Sequence, residues 1–252
     1  MTSGGSGGSG QRVAVVTGGA SGIGRATCAR LLADGFALAV LDLDADAAKA
    51  VAGPDGLGLA ADVSDAAQVE QAFATIVATF GRIDVLVNNA GISGGPTATI
   101  CHETPAEEWD RVHAINTRGP FLCSRAALPV MIAQGSGHVI TTASVASRIV
   151  FPGRCAYTAS KGAALMFAKS LAVDYAHAGI RSNAVCPGFV QTPMTQWRLD
   201  VPELRDRVES VIPVGHVAQP DDIADAIALL ASDRLSYMTG AALVVDGGWT
   251  AL

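Results

Sequence analysis

The stretch that decides the fold is Arg12–Gly24, RVAVVTGGASGIG. Its first half, Arg12–Thr17, is a short apolar run without polar alternation, the pattern of a parallel strand covered on both faces. Its second half, Gly18-Gly19-Ala20-Ser21-Gly22-Ile23-Gly24, opens into a helical stretch predicted over Gly22–Ala33. Glycine permits a tight turn and a close main-chain approach to a pyrophosphate, and a helix N-terminus offers free N–H groups and the positive end of a dipole. Gly18, Ser21, Gly22, Ile23 and Gly24 are therefore candidate contacts to a dinucleotide. The spacing is G-x-x-x-G-x-G, not G-x-G-x-x-G, and a plain packing turn is the competing reading. A strand before the glycines and a helix after them favour the dinucleotide.

Outward from that turn the same rhythm repeats to the end of the chain. Further strands are predicted at Ala37–Asp42, Leu57–Ala61, Asp84–Asn88, Gly137–Thr142, Arg181–Cys186 and Ala241–Val245. Helices are predicted at Ala45–Ala52, Asp65–Phe80, Pro105–Gln134, Cys155–Ala178 and Asp221–Ala231. Asp65 with Gln68 fits a capping box, and Pro105 fits a first helical position. Seven strands joined by helical crossovers imply one α/β domain with a doubly wound parallel sheet. A (β/α)8 barrel is the rival that pattern alone leaves open. The stretch Gly188–Gln219, with Pro193, Pro202, Pro213 and Trp197, breaks the rhythm and reads as an irregular binding segment or a surface excursion.

Composition narrows the class. The 252 residues are 50% hydrophobic and include 28 Gly and 45 Ala. With glycine counted the apolar share is about 60%, above the roughly 45–50% of ordinary soluble domains. Close packing with small side chains follows, and disorder is excluded. A net charge of −6 with 16% charged residues leaves no basic stripe, so nucleic acid is not expected as a partner. The charge-free run Ala126–Ser147 carries Pro129, Gln134, Gly135, Ser136, Gly137 and His138, so no membrane partner is expected either. Five scattered cysteines, Cys28, Cys101, Cys123, Cys155 and Cys186, fit neither a disulfide framework nor a metal site, and point to the reducing cytoplasm. The five histidines follow no ligand spacing. Residues 1–10, MTSGGSGGSG, have the composition of a flexible linker or tag remnant without a signal peptide; residues 11–252 form the single domain.

The chemistry-bearing residues come next. Asp42 closes the second strand 18 residues after Gly24, where a carboxylate accepts the adenosine ribose hydroxyls and repels a 2′-phosphate. NAD is thereby expected over NADP. Asp44 competes for this role, a helix cap is the other reading of Asp42, and Arg25 could reach a phosphate. Tyr157-Thr158-Ala159-Ser160-Lys161 places a phenol and an ammonium on one helix face. A neighbouring cation favours phenolate, as acid/base work requires. Only three lysines occur, Lys49, Lys161 and Lys169, so one at this spacing carries information.

Taken in order, TGGASGIG (17–24), DV (62–63), NNAG (88–91), Asn116, Ser144, YTASK (157–161), PGFVQT (187–192) and a last strand ending VVDGG resemble the short-chain dehydrogenase/reductase family. The resemblance spans Gln11–Leu252 and implies a Rossmann fold, a nicotinamide cofactor and hydride exchange with a secondary alcohol or ketone. It makes Tyr157 the acid/base, Ser144 the partner of the substrate oxygen, and Lys161 the group that lowers the Tyr157 pKa and binds the nicotinamide ribose. Asn116 would interrupt its helix and hold a water leading from Lys161 to solvent. Asp62 and Val63 would meet the adenine, Asn88 and Ala90 the adenine-ribose side, and Thr192, after Pro187, Gly188 and Val190, the carboxamide. The first Asn of NNAG has a structural alternative, support of the sheet. The three-residue gap between Tyr157 and Lys161 sets the chain apart from enoyl reductases, and family members are usually homotetramers.

Candidates for the substrate pocket are Ser93, Gly94, Val145, Ala146, Ile149, Phe151, Arg154, Phe189, Met194, Trp197 and Arg198. This mixture suits a medium-sized secondary alcohol or ketone. Arg154, three residues before Tyr157, could clamp an anionic substituent, with a solvent-facing or interface arginine as the alternative. Two other functions stay in view: an NADPH-dependent biosynthetic carbonyl reductase of 3-oxoacyl type, and a nucleotide-binding protein without turnover, against which the Ser144/Tyr157/Lys161/Asn116 set argues.

Overall fold

A computed structural model describes residues 10–95 and 98–251. All but Gly10 of the expected N-terminal linker lies outside them. Seven strands, β1 (Val13–Thr17), β2 (Ala37–Asp42), β3 (Leu57–Ala60), β4 (Val85–Asn88), β5 (Gly137–Thr142), β6 (Ile180–Pro187) and β7 (Ala242–Val245), form one sheet in the order β3-β2-β1-β4-β5-β6-β7. Every described pairing is parallel. The open order excludes the barrel. It also reverses direction between β1 and β4, which opens a crevice beyond the carboxyl ends of those strands.

Helices cover both faces because successive strand residues point to opposite sides. Ala14 and Val16 of β1 join one core with Cys28 and Leu31 of α1 (Gly22–Ala33), Ala48 and Ala52 of α2 (Ala45–Ala52), and Ile223 and Ile227 of α9 (Pro220–Ala231). Val15 joins the other, with Phe73 and Ile76 of α3 (Ala66–Phe80) and Leu122 and Met131 of α5 (Gly119–Gln134). The alanines of the composition let these helices seat close to the sheet.

The predicted long helix Pro105–Gln134 is interrupted. Pro105 stands at the cap position, α4 runs over Ala106–His113, and a π-helical turn over Ala114–Arg118 precedes α5. The wider turn carries Asn116 into the interior, where it is 1% exposed. The catalytic-candidate helix, α6, spans Cys155–Tyr175 and ends in a short 3-10 turn over Ala176–Ala178. At α3, Asp65 accepts from the N–H groups of Ala67 and Gln68, but the Gln68 side chain accepts from Asp62, not from the cap residue. Strand limits shift by about a residue, most at β6. Gly188–Gln219 is more ordered than its prolines suggested: Pro193 and Pro202 begin two short helices, α7 (Pro193–Leu199) and α8 (Pro202–Glu209), since proline suits a first helical turn.

Asp84 ties β1 to β4 from below. Its carboxylate accepts from Val13 N–H at 2.8 Å and from Arg82 at 2.8 and 2.7 Å. Replacing Asp84 by Ala strands the Val13 donor and is expected to cost about 1–3 kcal/mol, lowering Tm by roughly 2–4 °C per kcal/mol. Calorimetry checks this, and an unchanged Tm would remove Asp84 from the framework.

Candidate active site

A cleft of about 320 Å³ lies beyond the carboxyl ends of the strands. It is lined on the β1/β2 side by Gly18, Ser21, Gly22, Ile23 and Asp42, and farther along by Asp62, Val63 and Ala90. The glycines there have steric reasons. A Cβ on Gly24 would lie 2.0 Å from the Gly18 carbonyl oxygen, and Gly18 itself has a φ of +62° with Ala90 Cα only 2.9 Å from a would-be Cβ. Gly24 is thus buried beneath the turn and does not line the cleft. Ser21 precedes α1 without making a side-chain cap bond, so the first N–H groups of the helix are left for a ligand.

Asp42 reaches this turn directly: one carboxylate oxygen accepts from Ala20 N–H at 2.9 Å and the other from Leu43 N–H at 2.8 Å. Asp44, its competitor, caps α2 by accepting from Ala47 N–H. The helix-cap role therefore falls to Asp44, and of the two Asp42 is the one that lines the cleft.

NNAG divides between framework and site. Asn88 is buried and donates to Ser124 Oγ at 3.0 Å, away from the cleft, so it does not line the adenine-ribose side; β4 alternation turns it towards α5. Asn89, missed in the sequence, lines the cleft and donates to the carbonyls of Thr17 and Gly18, both at 3.1 Å. Thr17 Oγ1 in turn accepts from the N–H groups of Asn89 and Ala90. The signal for Asn89 was only its place beside Asn88.

The far end of the cleft holds Ser144, after β5, and Lys161, with Pro187, Gly188, Val190, Thr192 and Met194 opposite. Ser144 begins a 3-10 turn and accepts from the N–H of Ala146, which is a buried packing residue and not a pocket wall. Lys161 is 6% exposed; its Nζ donates to the Thr142 carbonyl at 2.8 Å and lies 5.8 Å from the Tyr157 ring centroid. Burial draws its pKa down to about 8. For Tyr157, burial raises the phenol pKa, opposed by the Ser144 hydroxyl and the Arg154 charge.

Asn116 stands behind Lys161. Its side chain exchanges hydrogen bonds with the Ile92 backbone at 2.8 Å in each direction and donates to Ser160 Oγ at 3.0 Å. Gly91 separates the two: a Cβ there would lie 3.2 Å from Asn116 Oδ1 and 3.5 Å from Lys161 Nζ.

Of the substrate candidates, Ser93 and Arg154 line a small cavity of about 10 Å³ together with Tyr157. Arg154 donates to the carbonyls of Ser93 and Gly95, and its guanidinium lies 5.9 Å from the Trp197 ring, with Arg198 4.9 Å from the same ring. Arg154 is neither solvent-facing nor paired with a carboxylate among the described residues. Phe189 packs with Leu199, Ile212 and Val217 under Arg198; Phe151 stacks on Trp249; Val145 is core.

The family model described as "Enoyl-(Acyl carrier protein) reductase" matches residues 18–250. The chain is 51% identical over 248 residues to the 2-(R)-hydroxypropyl-CoM dehydrogenase of Xanthobacter autotrophicus, a match covering 96% of this chain and 99% of that one. It is 41% identical over 249 residues to the cis-4-hydroxycyclohexanecarboxylate dehydrogenase of Sinomonas cyclohexanicum, covering 96% and 98%. Among solved structures, levodione reductase matches with a TM-score of 0.88 at 38% identity, covering 95% of this chain and 98% of that one. Although the model's description names an enoyl reductase, these relatives are named for alcohols and a ketone reductase, in keeping with the short Tyr157–Lys161 spacing. The protein belongs to the short-chain dehydrogenase/reductase family and is an oxidoreductase exchanging hydride between a nicotinamide cofactor and the carbinol or carbonyl carbon of a secondary alcohol or ketone.

Proposed function

We propose that the protein is an NAD-dependent dehydrogenase of small secondary alcohols that carry an anionic group. The reading of the substrate rests on one observation: two guanidiniums, Arg154 and Arg198, flank Trp197 next to Tyr157 with no carboxylate within ion-pair distance among the described residues. Half-buried cations without a counter-charge are costly and favour an anion from outside. Among the relatives, the cis-4-hydroxycyclohexanecarboxylate dehydrogenase is named for an anion, whereas the cyclopentanol and D-threitol dehydrogenases are named for neutral alcohols.

The residues fit a dinucleotide: glycines that tolerate no Cβ form the cradle, uncapped N–H groups end it, and Asp42 offers acceptors to ribose hydroxyls. Asp62, Val63 and Ala90 are assigned to the adenosine half, and Ile23, Pro187, Gly188, Val190, Thr192, Tyr157 and Lys161 to the nicotinamide half. The bound cofactor supplies the redox chemistry. Ser144 Oγ orients the substrate oxygen, and Tyr157 Oη takes its proton on oxidation and returns it on reduction. Lys161 Nζ, held by Thr142, holds the ribose, and its positive charge stabilises phenolate. Asn116 fixes the Ile92 backbone behind that lysine and is assigned the water that passes the proton outward.

Asp42 leaves no room for a 2′-phosphate's charge, which is the ground for NAD. Cytoplasmic location agrees with five free cysteines; no helix among the described residues is long and apolar enough to cross a membrane. A homotetramer is supported by the outward apolar side chains of Phe121 on α5 and Met166 and Val173 on α6.

Three outcomes are expected. Tyr157→Phe retains NAD binding while kcat falls by about 10²–10⁴; a variant that turns over like the parent removes Tyr157 as the acid/base. Asp42→Ser narrows the preference for NAD over NADP in kcat/KM, and an unchanged ratio sinks its role as discriminator. In a panel of neutral and anionic secondary alcohols followed by nicotinamide absorbance, Arg154→Gln raises KM for the anionic members by about 10–100-fold, the worth of a charge-assisted hydrogen bond. Equal effects on neutral and anionic alcohols would dismiss the anion.

A further inference from the structure

Arg154 has a charged neighbour that the reaction does not use. Its Nη1 donates to the carbonyls of Ser93 and Gly95, which flank Gly94. Gly94 has a φ of +82°, and a Cβ on it would lie 2.5 Å from Glu108 Oε1. Guanidinium and carboxylate thus converge on the same residue, and both line the small cavity that Tyr157 also lines. The Glu108 side chain is 14% exposed; Oε2 is engaged by Arg111, which sits outside at 56% exposure, whereas Oε1 is buried with no hydrogen-bond partner among the described residues. The two side chains stop short of an ion pair, yet the Glu108 charge acts on Arg154 and favours its protonated form, against the effects of burial and of Arg198.

We infer that Glu108 is a specificity-determining residue acting through Arg154: its buried carboxylate offsets part of the guanidinium's field, weakening the grip on an anionic substrate and easing product release. The inference rests on the reading of Arg154 and Arg198 as the partners of that anion. Its physical basis is that anion binding shared by ground and transition states lowers KM without raising kcat, so a counter-charge behind the clamp keeps the product from being held too long. Glu108 sits on α4, one helix away from the acid/base, and its position is set by Gly94, the one residue type that leaves room for Oε1 at that φ.

The test measures binding of propane-1-sulfonate to the NAD-loaded enzyme by tryptophan fluorescence, Trp197 lying against both guanidiniums. Alongside it, KM is measured for a neutral secondary alcohol, cyclopentanol. Glu108→Gln is expected to tighten the sulfonate by about three- to tenfold, the scale of a partly screened charge at several ångströms, and so to raise the affinity of the anion relative to the neutral alcohol. Glu108→Asp, which withdraws the carboxylate by one methylene, should shift the same ratio less, and serves if the glutamine variant does not fold. In an Arg154→Gln background the Glu108→Gln effect should vanish. Weaker sulfonate binding in Arg154→Gln together with an unmoved ratio in Glu108→Gln would overturn the inference alone. Sulfonate binding indifferent to both Arg154→Gln and Arg198→Gln would overturn the clamp on which it stands.

Discussion

The site depends on the join between the carboxyl ends of β1 and β4. Thr17 Oγ1 accepts two backbone N–H groups from Asn89 and Ala90, and Asn89 returns two bonds to the carbonyls of Thr17 and Gly18. These four bonds fix the distance between two strands that are neighbours in space but 70 residues apart in the chain. They also fix the glycine turn, because Gly24 sits against the Gly18 carbonyl and the Asn89 amide with no space for a Cβ. A turn held this way presents its N–H groups without readjustment when a ligand arrives, which is the condition for binding charge cheaply.

The other half of the site is built on the same logic with different means. Lys161 is buried and would be expensive to keep charged, yet its ammonium has one fixed acceptor in Thr142. The π-helical turn before α5 turns Asn116 inward to bind the Ile92 backbone, which carries the chain past Gly91 and the ammonium. Tyr157, on the same helix as Lys161, is raised by burial in the protein alone. Its readiness to ionise therefore depends on which charges face it in the complete complex, and Arg154 is one of those already in place.

Much of this was legible in the sequence because it is local. The strand–glycine–helix pattern at Arg12–Gly24, the short continuous apolar runs and the Tyr157/Lys161 spacing each concern residues a few positions apart, where geometry follows from local backbone structure. Asp42 could be placed at the end of β2, but its preference over Asp44 required the observation that Asp44 caps α2. Asn88 and Asn89 could not be told apart, since which of two adjacent residues faces a cleft is set by strand register, and register is a long-range property. The π-turn left no mark in the apolar pattern, and only the resemblance placed an interruption at Asn116: an extra residue in a helical turn leaves the periodicity on either side nearly intact.

Arg154 shows where such reasoning stops and what the fold adds. In the sequence it is an arginine three residues before a tyrosine, with a solvent-facing or interface role open to it as well as an anion clamp. In the fold it anchors the Ser93–Gly95 backbone with one nitrogen, shares Trp197 with Arg198, and has Glu108 behind it. Arg154, Trp197, Arg198 and Glu108 come from the start of α6, from α7 and from α4, up to about 90 positions apart in the chain. The surroundings of Arg154 are thus assembled from the start of α6 and from α4 and α7, outside the sheet, where proteins of one fold differ most freely, whereas the glycine turn and the Tyr157/Lys161 pair are tied to the sheet and leave little freedom. That division explains why the reaction class could be read from the chain, whereas the anionic substrate proposed for Arg154 and Arg198 rests on how their side chains pack.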